Sequence, residues 1–576
     1  MLPLTPLYLK FIAALFGYSL KAVHFASSLC GAVSLVFSCL MTKELRGGSY
    51  AIFLTGLFSL ISGFITFGAL FSYDSLEFLL IVIALYLLVR IINSGNQKLW
   101  LLFGLVMGLG LSNKLTILFF GLSVFVSLWL VPQRKYFKEK WIWLAGIIAL
   151  IFLIPYGIWQ SKNGWYFLSF AQNYAGGESY IATIPEFIWN QLIGNNVLNS
   201  PVWFLGLWLL LFSKNWARYR FFGINYVVLF LIFFFVGAKF YFLIPMYSIL
   251  LAVGSVKLEK VILRFNGSPL KHAFLKYAMP VIYVIFSLPT LALGMPLLSV
   301  ESFIQLTKYI GVDAGVKTSY VQMRQLPHHF ADRFGWEEMV KELLKVYNNI
   351  PSDKKDNVGI IAENWGEASA VNFFRKKYRL PEATCADGWY YYETLRKKNF
   401  KDIYISFGLS KSDLSEIFNS VVQEGLFTND YCLPSENNKP LFLCSSPKCD
   451  LNKYWTILKN IDDHFLNLVH TGKIDSAIVY YHHHKNIDST TLMFTERQIY
   501  FLGHGFLKKG KIEDAMKLFS FNLEVFPFSS YAYYGLGEAY LKKGNRELAI
   551  KNYKKILELY PDNTHARKKL LELEKL

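Results

Sequence analysis

The run LWLLFGLVMGLGLSNKLTILFFGLSVFVSLWLV, residues 99–131, decides how this chain is read. It is longer than the roughly 20 apolar residues that one membrane helix needs. At its middle, Ser112-Asn113-Lys114 is too polar to lie exposed at the centre of a bilayer. Split there, the stretch becomes two apolar spans joined by a turn that holds one cation, Lys114. On one side it is preceded by Arg90 to Lys98, and on the other it is followed by Gln133-Arg-Lys-Tyr-Phe-Lys-Glu-Lys140. The two basic connections lie at one face of the membrane and the Lys114 turn at the opposite face.

The same alternation continues in both directions. Apolar runs occupy residues 25–42, 49–70, 74–91, 98–112, 115–131, 141–159, 201–213, 221–237, 240–256 and 274–296, about ten spans. Every second connection is basic: Lys43 to Arg46, the two already named, Lys214 to Arg220, and Lys257 to Lys276. Together these hold 16 Lys and Arg, whereas the intervening connections hold three, Lys114, Lys162 and Lys239. The positive-inside rule assigns the basic connections to the cytoplasm. Lys114, Lys239 and Asp74 then stand at helix ends on the outer side. An acid and two lysines gathered there read most simply as a site for an anionic substrate borne by the membrane.

The chain has 576 residues, 53% of them hydrophobic and 17% aromatic, with net charge +18. The apolar character belongs to the first 300 residues or so. The positive charge sits mostly in the inner connections and the last helices, so it speaks for a membrane protein and not for nucleic-acid binding. Cys30 and Cys39 lie in or beside an apolar run and read as small buried hydrophobes. Cys432, Cys444 and Cys449 supply material for one disulfide, and their spacing does not match a zinc site. Met1-Leu-Pro-Leu-Thr-Pro6 has no basic leader region or cleavage site. Residues 7–20 read as a helix on the outer surface. The run 25–42 passes from outside to inside, so by the parity of spans either the N-terminus is translocated unaided or, the favoured expectation, a first helix precedes Met1. Residues 160–200 form a long outer loop rich in Trp and Tyr, with Asn163-Gly164, Gly176-Gly177, Glu178 and Pro185.

Beyond Met295 the character changes. Glu337 to Tyr347 has helical periodicity. Val358 to Ala362 and Ile403 to Phe407 are short apolar runs that alternate with helical patterns over Ala368 to Tyr378 and Leu414 to Val422. These predict a small α/β domain over residues 301–450, outside the cytoplasm, after a membrane bundle over 1–300. Residues 451–576 repeat with a period of 34. Gly503 recurs as Gly537, Lys508-Lys-Gly510 as Lys542-Lys-Gly544, Ala515 as Ala549, Phe519 as Tyr553, and Pro527 as Pro561. This is the tetratricopeptide pattern, with a weaker copy at Gly472 and Ala477 and a capping helix over Thr564 to Leu576. Such a stack serves either as a docking surface for a protein partner or as a lid.

Each candidate site residue has a structural reading beside the functional one. Asp74 is either a helix-start carboxylate favoured by the dipole or a general base facing an outer cavity. Glu77, one turn further in, is placed on a neighbouring face. Lys114 and Lys239 are either snorkelling cations or the partners of a lipid phosphate, with Asn113 and Tyr241 as neutral donors. His482-His-His484 points its rings to different sides of a helix and does not converge on a metal; His328-His329 is as weak. No Walker loop, dinucleotide fingerprint or zincin motif is present.

Taken in order, several stretches resemble the family 39-type glycosyltransferases, bacterial membrane enzymes of the GT-C fold. These stretches are Leu2-Pro-Leu-Thr-Pro-Leu7, the Asp74 turn, Leu111-Ser-Asn-Lys-Leu-Thr116, Asn173-Tyr174, Gly237-Ala-Lys-Phe-Tyr-Phe-Leu-Ile-Pro245 and Leu326-Pro-His-His-Phe-Ala-Asp-Arg-Phe-Gly-Trp336. The family is akin to protein O-mannosyltransferases and to the aminoarabinose transferase of lipid A. The resemblance covers roughly residues 2–425 and leaves out the tail repeats. It implies transfer of a sugar from a polyprenyl-phosphate carrier to a lipid, glycan or protein acceptor at the outer face of the bacterial plasma membrane. It implies Asp74 as the catalytic acid residue, Lys239 and Tyr241 near the carrier phosphate, and Lys114 in a polar turn. A divalent metal is left open. The family also carries an acidic pair ahead of the Pro-rich stretch, and here the chain begins at that stretch. On this reading, transfer by these 576 residues is impaired. The rival readings are a non-catalytic membrane-anchored repeat scaffold and a transporter of polyprenyl lipid. The clustering of charge at one face favours the transferase, because a transporter site lies near midplane.

Overall fold

The computed structural model describes residues 2–62, 68–162, 165, 183–264, 268–310, 326–397, 400–448, 451–457, 461–489, 491, 493–560 and 563–574. Asn163-Gly164, Asn173-Tyr174, Gly176-Gly177, Glu178, Cys449 and Pro561, singled out above, fall outside them. The chain divides into two compact units, Met1–His328 and His329–Leu576.

The first unit is a helical bundle of a polytopic membrane protein. Among the described residues six helices are long and apolar enough to cross a bilayer: Leu20–Glu44, Tyr73–Ser94, Lys140–Lys162, Lys214–Val236, Phe240–Leu263 and Pro269–Gly294. Two bent pairs raise the number to eight if each is one span: Ile117–Trp129 with Pro132–Lys138 at 109°, and Pro185–Gly194 with Val197–Phe212 at 87°. The run 98–131 does break at Ser112–Lys114, but its halves, Leu99–Leu111 and Ile117–Trp129, are only 13 residues each. At 1.5 Å per residue that is about 20 Å, short of a full bilayer core. Helices approach closely where glycine removes the side chain. A Cβ at Gly206 would lie 2.0 Å from the Leu250 carbonyl oxygen, and one at Gly104 would lie 2.6 Å from the Ala145 Cα.

The two ends of the bundle differ as the charge pattern requires. At the basic end, Arg90 pairs with Glu44 at 3.4 Å, and Arg218 donates to the carbonyls of Ile92 and Asn93. Glu259 accepts from the amides of Gly48 and Ala51, at 2.7 and 3.0 Å, and so satisfies the start of the Ser49–Leu60 helix. At the opposite end of that helix, Asn196 and Asn199 donate to the carbonyls of Ile61 and Phe58 at 3.1 and 3.0 Å. Gln191 donates to the Phe240 carbonyl and accepts from Tyr247. These amides supply partners for backbone groups that lipid leaves unsatisfied.

The second unit holds a five-stranded sheet of order β2-β1-β3-β5-β4: β1 Val358–Ala362, β2 Ala383–Thr384, β3 Ile403–Phe407, β4 Phe418–Phe427 and β5 Lys439–Pro447. β1 pairs in parallel with β2 and β3, while β5 runs antiparallel to β3 and β4. Both faces are covered, so β1 is buried at all five positions and reads as a continuous apolar run. The expected helix over Leu414 to Val422 is corrected: the helix stops at Ile417 and β4 starts at Phe418. Leu414, Ile417, Phe418, Val421 and Val422 have helical spacing, yet Ser420 to Val422 pair with Leu443 to Ser445 of β5. β-branched residues on a half-buried edge suit that ladder. Cys432 and Cys444 are both buried, with no disulfide between them.

The tail is a stack of helix pairs: Asp463–His470 with Ile474–Ile487, Glu496–Lys508 with Ile512–Val525, and Ser530–Lys542 with Arg546–Leu559. Helix Thr564–Glu574 closes it. Gly472, Gly510 and Gly544 end the first helix of each pair at φ of 77°, 76° and 76°. Phe519 and Tyr553 fill the seams without exposure, each against a glycine, Gly503 or Gly537, that leaves room for the ring.

Candidate active site

Helix Tyr73–Ser94 starts at Ser72, whose hydroxyl accepts from the Asp74 amide at 3.1 Å. Asp74 therefore lies in the first turn, where the helix dipole favours a carboxylate. Glu77 follows three residues later and shares its face. Both reach one lysine: Lys114 Nζ is in contact with Asp74 Oδ1 and lies 3.2 Å from Glu77 Oε2. The neighbouring-face placement of Glu77 from sequence is thus corrected by this shared partner. The side chains of Lys114, Asp74 and Glu77 are only 16%, 16% and 9% exposed, so water screens this triad poorly.

The turn that carries Lys114 is fixed on every side. The amides of Asn113 and Lys114 both donate to the Gly110 carbonyl at 2.9 Å. Asn113 donates to the Tyr73 carbonyl at 2.6 Å and accepts from the Thr5 hydroxyl. The Leu4 amide donates to the Ser112 carbonyl at 3.0 Å, which ties the Pro-rich start of the chain to the turn. The Thr116 hydroxyl donates to Glu77. Lys114 Nζ also sits 4.0 Å from the Phe242 ring centroid and 5.0 Å from that of Tyr73.

Lys239 approaches from another element. Helix Arg220–Val236 ends at Gly237 with φ 67°, and the Ala238 amide bonds back to the Phe233 carbonyl at 2.9 Å. The chain then enters the tight helix Phe240–Met246. Lys239 is half-buried, 5.9 Å from the Tyr241 ring centroid, and no ion pair holds it among the described residues. The five residues expected from sequence, Asp74, Asn113, Lys114, Lys239 and Tyr241, are therefore brought to one end of the bundle. Lys114 arrives with its charge already matched by two acids, whereas Lys239 has no ion pair among the described residues. Asp74, Glu77, Phe78, Tyr241, Phe242 and Pro245 line a crevice of 10 Å³, room for about one water.

Sequence reading gave no role to Thr5, Thr116 and Phe242, which fix the turn or cover the lysine. His328 was set aside as half of a histidine pair. Burial, and then the nearby Lys239 charge, hold its imidazole below the ordinary value, so it stays neutral beside the site at neutral pH. Of the other histidines, His482 faces Glu524 at 3.1 Å and His484 faces its own helix carbonyl at Tyr480. Among the described residues no three His, Cys, Asp or Glu side chains group to hold a metal.

Residues 3–159 match the family described as dolichyl-phosphate-mannose-protein mannosyltransferase. Thr5, Asp74, Glu77, Asn113, Lys114 and Thr116 lie inside that match; Lys239 and Tyr241 lie beyond it. Residues 530–563 match the tetratricopeptide repeat. Among solved structures, the chain is similar to ArnT from Cupriavidus metallidurans bound to undecaprenyl phosphate. That match has 11% identity and a TM-score of 0.49, and covers 77% of this chain and 87% of the other. The apo form of the same protein matches at 12% identity and a TM-score of 0.48, with the same coverage. Comparison with curated proteins finds no match.

Proposed function

We propose that this chain is a membrane glycosyltransferase that moves a sugar from a polyprenyl-phosphate carrier to an acceptor at the outer face of the membrane. The observation that carries the reading is the Asp74–Lys114–Glu77 triad with Lys239 beside it. It sits within and next to the stretch that matches a family of lipid-phosphate-sugar transferases. In this reading Asp74, in contact with Lys114, accepts the proton of the acceptor hydroxyl as that oxygen attacks the anomeric carbon. The bond from the sugar to the carrier phosphate breaks, and the phosphate leaves as an anion that Lys239 stabilises. Asn113 holds the turn through the Tyr73 carbonyl and the Thr5 hydroxyl, and its amide keeps a second N–H for a substrate.

The Lys/Arg bias supports an outer location for the site. On the same reading residues 300–576 lie outside the cytoplasm, where the repeats would meet a protein partner. The test of function is transfer of label from a polyprenyl-phosphate sugar to membrane acceptors by the purified chain, with Asp74→Asn as the inactive control. Equal transfer by the variant overturns the assignment of Asp74. The test of location is a C-terminal alkaline phosphatase fusion, expected to be active. An inactive phosphatase beside a fluorescent cytoplasmic reporter reverses the orientation.

A further inference from the structure

The α/β part of the second unit holds a partly open cavity of 410 Å³, within the range of about 300–1,000 Å³ of small-molecule sites. It lies against the sheet face that carries Gly359 and Ile361, and is covered by helices Gly388–Lys397 and Leu451–Ile457. Its place is unusual for a sheet of this order. Strand order 2-1-3 puts the topological switch point between the carboxyl ends of β1 and β3, where open sheets bind ligands. That position is filled by the protein's own groups. Lys439 pairs with Glu367 at 2.9 Å and also contacts Glu363, and Glu367 accepts from the Glu363 amide at 2.8 Å. The cavity lies on a sheet face and reaches back to the amino ends of β1 and β3, next to Lys355, Asp356 and Lys401.

Its walls narrow the class of ligand. Tyr390, Tyr404 and Trp455 give flat aromatic surfaces. Tyr404 is locked in place: its hydroxyl accepts from the Lys401 amide at 2.9 Å, and its ring lies where a Cβ on residue 359 would come within 2.4 Å. Thr384 and Thr394 present a pair of hydroxyls in mutual contact. The charges are balanced, with Lys355, Arg379 and Lys401 against Asp356, Glu382 and Glu393, so no net field selects a phosphate or a polycation. An acyl or polyprenyl chain would strip water from those six charged groups and two hydroxyls without replacing its hydrogen bonds. A neutral ring with apolar faces and a rim of hydroxyls matches both the walls and the polar groups.

We propose that this cavity binds a saccharide, as a site separate from the Asp74 centre. The proposal does not depend on the chain being a transferase. The experiment uses the full chain in lipid nanodiscs free of glycoside detergents. The methyl glycosides of glucose, galactose, mannose and N-acetylglucosamine are followed by saturation-transfer NMR. At least one is expected to bind, and inorganic phosphate is expected not to displace it. Thr394→Trp, which fills the cavity, should weaken binding at least tenfold. Glu393→Gln, a near-isosteric change, should weaken it severalfold with thermal unfolding unchanged, and decides the matter if the tryptophan variant does not fold. Asp74→Asn should leave binding intact. Absence of signal from every glycoside, displacement by phosphate, or a signal lost with Asp74→Asn and kept in Glu393→Gln would each overturn the proposal.

Discussion

Replacing Lys114 by methionine keeps a side chain of similar length against Phe242 and removes the one charge that Asp74 and Glu77 share. Breaking a buried ion pair by deleting one partner costs about 3–5 kcal/mol, because the remaining charge stays in a poor solvent. The side chains here keep 9–16% of their exposure, which points to the lower end, about 3 kcal/mol. That is more than a hundredfold, at about 1.4 kcal/mol per decade. A second change separates charge from packing. Adding Glu77→Gln removes one of the two stranded carboxylates and should recover a large part of the loss. Asp74→Asn in the same background should recover stability as well, but without recovering transfer. The assay is equilibrium unfolding in mixed detergent micelles, run as a double-mutant cycle. A Lys114→Met loss below about 0.5 kcal/mol, or no recovery with Glu77→Gln, would show that the triad is not the electrostatic unit described.

Lys239→Ala should weaken binding of a polyprenyl phosphate by about 1.5–3 kcal/mol, as expected for one charge-assisted contact, with unfolding unchanged. Titration at two salt concentrations checks it, and equal affinity at both sinks the assignment. Gly206→Val should destabilise the bundle by more than the roughly 1–3 kcal/mol of ordinary overpacking, since its Cβ alone meets a backbone carbonyl at 2.0 Å. The second unit should lose stability as pH rises from about 5 to 8. Burial, with Glu363 and Glu436 nearby, pushes the Glu367 carboxyl up to about 8, against the opposing pull of Lys439. A carboxyl raised on folding binds its proton more tightly in the folded state, so stability is full below the unfolded value and falls as pH climbs to the folded one. Glu367→Gln should flatten that slope, and an unchanged slope in the variant would mean that another group titrates.

The alternation of basic connections made the two ends of the bundle legible, because charge sorting between the faces of a bilayer is written in linear order. The apolar runs of β1 and β3 were equally plain, since a strand buried on both faces admits little else. The break at Ser112 to Lys114 was readable for the same reason: three polar residues have no home in lipid. Other features depended on contacts that no local pattern records. Leu414 to Val422 satisfies helical spacing, and only the neighbouring β5 turns its second half into strand. Glu77 and Lys114 are far apart in sequence, so their pairing emerges from the packing alone. The 34-residue repeat was visible because the same glycine and aromatic recur where each pair of helices crosses.

Asp74 and its lysine are separated by 40 residues. At a synthesis rate of roughly 5–20 residues per second, the two acids of helix Tyr73–Ser94 leave the ribosome about 2–8 s before Lys114 follows. For that interval the helix carries two carboxylates at one end with no cation to meet them. Their position in the first turn, at the edge of the bilayer and not in its middle, lets that end stay in water while it waits. The ion pairs of the Tyr73–Ser94 helix with Lys114 can therefore form only after the turn at Ser112 to Lys114 has been made.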